Sequence, residues 1–230
     1  KQKITKPVMP IGSKYAYINN IGLTFHVGEE FRHILSGMRH IYEVISFMGF
    51  KAGDRIGHGI ALGEDIERWI DKHETTIIPA GEWLEDLVWL WGVSISGELN
   101  IQIFAEKIVK EIMTLAEKIY GKDESLTIEI LYEAYLRKFR LWHDNVFENM
   151  NRYCQNKNKQ NCEESTYFCK YYNSGVAVEH HWNVDKVLCA YFCPIYYQKM
   201  QQPIVIHVGY ESYSVYKQIQ EEILRIIAQK

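Results

Sequence analysis

No stretch of this 230-residue sequence approaches the roughly 18 consecutive apolar residues that a membrane-spanning helix requires, so no membrane partner is expected. An excess of one charge is lacking too. With 26 basic and 29 acidic residues the formal net charge is -3, which argues against a protein that grips a nucleic-acid backbone. Small ligands and protein partners stay open. The opening KQKITKPVMPIG carries basic residues with no apolar run behind them, so nothing reads as a secretory signal. The five cysteines, Cys154, Cys162, Cys169, Cys189 and Cys193, cluster without a CxxC pair, which supports neither a disulfide framework nor a zinc knuckle. His180 and His181 share that window, but the spacings fit no zinc pattern. Reduced thiols in a cytoplasmic protein are the expectation. No repeat of 20 to 50 residues is visible.

What is present is enough apolar sequence for a sizeable core: 47% of positions are hydrophobic and 24% charged, the balance of a globular chain. The run Ile21 to Phe25 reads as a buried strand. Ile34, Met38, Ile41, Ile45 and Met48 recur at helical spacing before Gly49, predicting a helix over 30–48. A second short strand runs to Ile56. Strand, helix, strand over so short a span is a βαβ unit, which implies parallel strands. Helical patterns follow at 64–73, at Glu82 to Trp91, from Ile101 to a stop at Gly121, and from Ile128 to Trp142 behind a cap at Asp123 or Ser125. Residues 144–183 are polar and tyrosine-rich, and their piece RYCQNKNKQNC reads as a solvated loop rather than a nucleic-acid patch. Val184 to Gln198 reads as helix broken at Pro194, Ile204 to Val208 as strand, and Ser212 to Ala228 as a last helix. The fold class is therefore α/β with a large, mainly helical insertion. Its divisions are expected at 1–65, 66–211 and 212–230.

Two short stretches carry the chemistry. FHVGEEF places His26 and Glu29 three residues apart where the first strand ends, and GDRIGHGIALG places His58 between two glycines where the second ends. Side chains at the carboxyl ends of parallel strands converge on one rim, where ligands and catalytic groups collect. A neutral imidazole binds divalent metals, and a carboxylate beside it can accept a proton from a metal-bound water. Gly28, Gly57 and Gly59 let backbone approach a ligand, and Gly28 and Gly57 are taken as substrate-binding positions. His26 and His58 are expected on adjacent parallel strands. IHVGYE at 206–211 echoes the first stretch, with tyrosine in place of the glutamate.

HxGE followed by DRIGHG, with a strand-to-helix unit between, resembles the adenosine deaminase branch of the metal-dependent amidohydrolases. The resemblance covers residues 20–63 and extends to 212–230 as a returning helix. It implies a partial (β/α)8 TIM barrel, with the two motifs closing strands five and six. By that likeness His26 is a zinc ligand, Glu29 shuttles a proton from metal-bound water to the purine ring nitrogen, and His58 orients the attacking hydroxide. The implied reaction is hydrolytic deamination of an adenine nucleoside or nucleotide. It is not the zinc deaminase type marked by HxE and PCxxC, neither of which occurs.

The family's HxH pair from strand one and its aspartate from strand eight have no counterpart here. The adjacent His180 and His181 cannot replace the pair, since neighbours on a strand face opposite ways. The chain is thus expected to be an internal piece of a longer protein, inactive alone and binding zinc weakly. The long insertion, with the wording HVGEEFRHILSGMRHI, is most similar to the deaminase subunits of bacterial RADAR antiphage systems, which implies homo-oligomers and an ATPase partner. The alternative is a non-catalytic assembly or interaction module derived from an amidohydrolase. Six tryptophans and sixteen tyrosines would serve its contacts.

Overall fold

The computed structural model describes residues 10–11, 14–15, 22–140, 181–191 and 193–230. Trp142, the loop 144–180 with its RYCQNKNKQNC piece, Cys154, Cys162, Cys169 and His180 lie outside them. The chain is α/β and mostly helical, with three two-stranded sheets among the described residues. It divides into two compact units, residues 1–72 with 210–230, and residues 73–209.

The first unit opens with a short antiparallel pair, β1 (Pro10–Ile11) and β2 (Lys14–Tyr15). Next comes β3 (Thr24–Val27), α1 (Ile34–Phe47) and β4 (Arg55–His58), and β3 pairs with β4 in parallel. Helix α1 forms because Ile34, Met38, Ile41 and Ile45 make one stripe, and all four are buried. Met48, counted in the same stripe, is exposed. The helix starts later than the spacing predicts because His33 caps it: the Leu35 N–H donates to His33 Nδ1 at 3.1 Å. It stops at Gly49, whose φ of 66° a side chain would resist.

Strand β3 is not buried as its apolar run suggested. Thr24 and His26 are exposed while Phe25 and Val27 are half-covered: among the described residues the strand pairs with β4 alone, and α1 packs against it. Beyond β4 lie α2 (Ile60–Gly63) and α3 (Ile66–Lys72). Helix α9 (Tyr213–Ala228) packs on α1, α2 and α3 through buried Tyr216, Ile219 and Ile223. Helix α3, which the reading assigned to the insertion, thus belongs to this unit.

The second unit holds a strand that the sequence reading missed. Thr75–Pro79 forms β5, antiparallel to β6 (Pro203–His207), with Ile77 opposite Val205. Helix α4 (Ala80–Ile95) buries Trp83, Leu84, Leu87 and Val88, and also Trp89 and Leu90, so it is covered on several sides. Helix α5 (Ala105–Tyr120) ends at Gly121, with φ of 91°. Helix α6 (Ile128–Arg140) is capped by Thr127, whose Oγ1 accepts from the Ile130 N–H at 3.4 Å, and not by Asp123 or Ser125. Those two bond each other instead, and the Ser125 hydroxyl and amide hold the Asp123 carboxyl below its ordinary pKa range. Pro194 begins α8 (Pro194–Met200) after α7 (Val184–Ala190), as its ring predicts. Cys189 and Cys193 form no disulfide among the described residues. No helix of the described residues is long and apolar enough to cross a membrane.

Gly28 ties this fold to its turn. Its φ is +77°, and an added Cβ would sit 2.3 Å from Ile41 Cδ1. Gly28→Ala should cost about 2 kcal/mol or more in urea unfolding, from strained backbone and overpacking together. Ile41→Ala removes the clashing atoms, so the double variant should lose less than the sum of the single changes.

Candidate metal centre

The register of β3 and β4 sets His26 opposite Gly57 and Val27 opposite His58. Both histidines stand at the carboxyl ends of adjacent parallel strands, as the spacing predicts. Residues opposed across strands share a face, so the His26 ring lies over Gly57. A Cβ on Gly57 would come within 3.3 Å of His26 Nδ1. By strict alternation His58, one residue further along, would turn to the other face. It does not, because its backbone leaves the strand conformation: φ is 68°, in the left-handed region. The two rings end 5.2 Å apart between centroids. A non-glycine residue held there costs about 1 kcal/mol, and such strain gathers at functional sites.

Two backbone hydrogen bonds stitch the strand ends together. The Gly59 N–H donates to the Val27 carbonyl at 3.2 Å, and the Ala61 N–H to the Gly28 carbonyl at 2.9 Å. From α9, the buried Gln220 side-chain amide donates to the carbonyls of Ala61 and Glu64, each at 2.9 Å, and so clamps α2 just beyond His58. Asp54 pins the opposite end of the pair by accepting from the N–H groups of Leu23 and Lys51. None of these positioning residues stood out in the sequence. A lone Gln or Asp has no signature until its backbone partners are adjacent.

Glu29 follows the turn at Gly28 and reaches between the rings. Its Oε2 lies 3.1 Å from His58 Nε2, and its Oε1 3.8 Å from His26 Nδ1. One ligating atom from each of His26, Glu29 and His58 falls within 4.8 Å of the others. Four donors around one ion at 2.1 Å would stand about 3.4 Å apart, so modest rotation of side chains closes the set. The side chains are 65% (His26), 51% (His58) and 27% (Glu29) exposed, which leaves the triad open to solvent and to a ligand. Two imidazoles and a carboxylate suit zinc, and they also suit iron(II), so the three donors could hold a metal ion without selecting a particular one. Gly28 and Gly57, read as substrate contacts, both have packing tasks here, against Ile41 and the His26 ring. His207, in the echoing stretch, belongs to the second unit, with its Nδ1 3.5 Å from Thr75 Oγ1.

Fold and site together describe an α/β chain with a histidine and carboxylate cluster on the rim of a parallel strand pair. A scan against protein-family models finds no match, and a search of curated proteins also finds none.

The strain at His58 gives a test. His58→Gly removes the imidazole while fitting the left-handed backbone, so unfolding stability should stay within about 1 kcal/mol of wild type. Zinc affinity of the same protein, titrated by calorimetry, should fall at least tenfold. A residue of purely structural importance would show the reverse, with lost stability and unchanged affinity.

Proposed function

We propose that residues 1–72 with 210–230 are the strand-five and strand-six part of a (β/α)8 barrel in a longer, cytoplasmic, zinc-dependent hydrolase. Its substrate is adenosine or an adenine nucleotide, and its setting is antiviral defence beside an ATPase partner. The observation that carries the reading is the carboxylate of Glu29 held between His26 and His58. The rest comes from the likeness of HxGE and DRIGHG to adenosine deaminases.

In this reading the parent protein's further ligands would hold the zinc together with His26, so that Glu29 and His58, which would complete the donor set in this chain alone, are left to the reaction. Zinc when bound supplies a water acidified to a pKa of about 7. Glu29 would accept a proton at the site of attack and deliver it to the purine ring nitrogen, which makes carbon 6 more electrophilic. His58, braced against Glu29 at 3.1 Å, orients the attacking oxygen. Water enters and ammonia leaves. The open rim suits a nucleoside that must approach edge-on, and the left-handed turn fixes His58 before substrate arrives, so no reorganisation is required during reaction.

A second reading is favoured by the surface of the 73–209 unit. Ile77, Ile95 and Phe104 are large, apolar and exposed there, as expected of a module for assembly into homo-oligomers. If that is the whole role, His26, Glu29 and His58 are relics of an amidohydrolase.

One pair of variants in the parent protein separates these. Glu29→Gln keeps the size and loses the base, so kcat for ammonia release should fall by about 10² to 10⁴ with zinc content near wild type. His26→Ala should lose zinc and turnover together. Unchanged turnover in folded Glu29→Gln would end the assignment. Comparing adenosine with its mono- and triphosphates identifies the substrate.

A further inference from the structure

In the second unit, a groove of about 360 Å³ runs between β6 and α5. Ile204, Val205 and Ile206 line one side, and Lys107, Lys110 and Lys118 line the other. Successive strand side chains face opposite ways, so a groove that touches three in a row follows the strand's edge. The ladder shows what that edge presents. The Val208 N–H donates to the Glu74 carbonyl and the Ala80 N–H to the Gln202 carbonyl, marking the two ends as hydrogen-bonded pairs. Such pairs alternate in an antiparallel ladder, so Ile204 and Ile206 bond to β5 while Val205 and His207 turn their N–H and C=O groups away from it. Among the described residues no strand pairs with β6 on that side.

The groove is lined by three lysines and one carboxylate, so its balance is positive. Lys107, Lys110 and Lys118 have no ion-pair partner among the described residues. Glu111, the one acid lining the groove, is engaged by the Trp83 indole N–H at 2.8 Å. From Lys107 to Lys118 the helix rises about 16 Å, and the three strand residues that line the groove extend about 10 Å. Lysines spread over that length face a line of anionic groups rather than one phosphate.

We propose that this groove binds an extended acidic peptide segment of a partner protein, which adds to β6 as a third strand while its carboxylates meet the lysines of α5. The strand edge supplies main-chain hydrogen bonds and Val205, 55% exposed, an apolar contact, while the lysines select sign. This inference is independent of the metal centre and of the deaminase reading.

The test uses the full chain and a fluorescein-labelled Glu-Val-Glu-Val-Glu-Val-Glu peptide, with the Lys-Val counterpart and a single-stranded oligothymidine as controls, read by anisotropy. The acidic peptide should bind at least tenfold more tightly than either control. Binding should fall at least tenfold in K107E/K110E, whose changes are on an exposed helix face and should leave circular dichroism unchanged. It should fall likewise in Val205→Pro, which removes an outward N–H and no bond to β5. Equal binding of acidic and basic peptides, retention in K107E/K110E, or no binding up to millimolar peptide would overturn the proposal. Preference for the oligothymidine would overturn it in favour of nucleic acid. Self-association in sedimentation that Val205→Pro abolishes would overturn it in favour of a second copy of this chain.

Discussion

The bond from the Gly59 N–H to the Val27 carbonyl, with its companion from Ala61 to Gly28, is the constraint on which the candidate metal centre rests. These bonds join two glycine turns that follow separate strands and fix Glu29 relative to His58. Without them the three side chains would be mobile groups on two loops. With them, a carboxylate and two imidazoles stand within reach of one ion. His58 opposes this order through its left-handed backbone, and the surrounding packing outweighs the strain. The glycines on either side of His58 serve the same end, one by leaving room for the His26 ring and the other by continuing the left-handed path into α2.

The 73–209 unit follows a different logic. It is built on helix packing, and α4, apolar on several sides, lies at its centre with Trp89 wholly buried. Its two strands form a ribbon with one face covered and one open, where Ile77 (62% exposed) and Val205 stand opposite each other. Lysines along an unpaired edge are a common defence against unwanted strand pairing. Here they face the edge across a groove, and that arrangement makes the edge selective for charge.

Much of the helical content was legible because burial on one side of a helix repeats every three to four residues, and Ile34, Met38, Ile41 and Ile45 keep that period. The stops at Gly49 and Gly121 and the break at Pro194 were legible for equally local reasons. Strand β5 was not. TTIIP is short, follows a helix and acquires its meaning from a partner that begins more than 120 residues later. The capping of α1 by His33 and of α6 by Thr127 also escaped, since several neighbouring residues could have served and only backbone geometry chooses among them.

By itself the sequence determined that His26 and His58 would close consecutive parallel strands, because a helix between two short apolar runs permits little else. It also placed Glu29 within one turn of His26. The tertiary structure alone decided that His58 would face the same way as His26. Strict alternation along β4 predicts the opposite face, and the positive φ of His58 reverses it, a backbone conformation that no spacing of residues encodes.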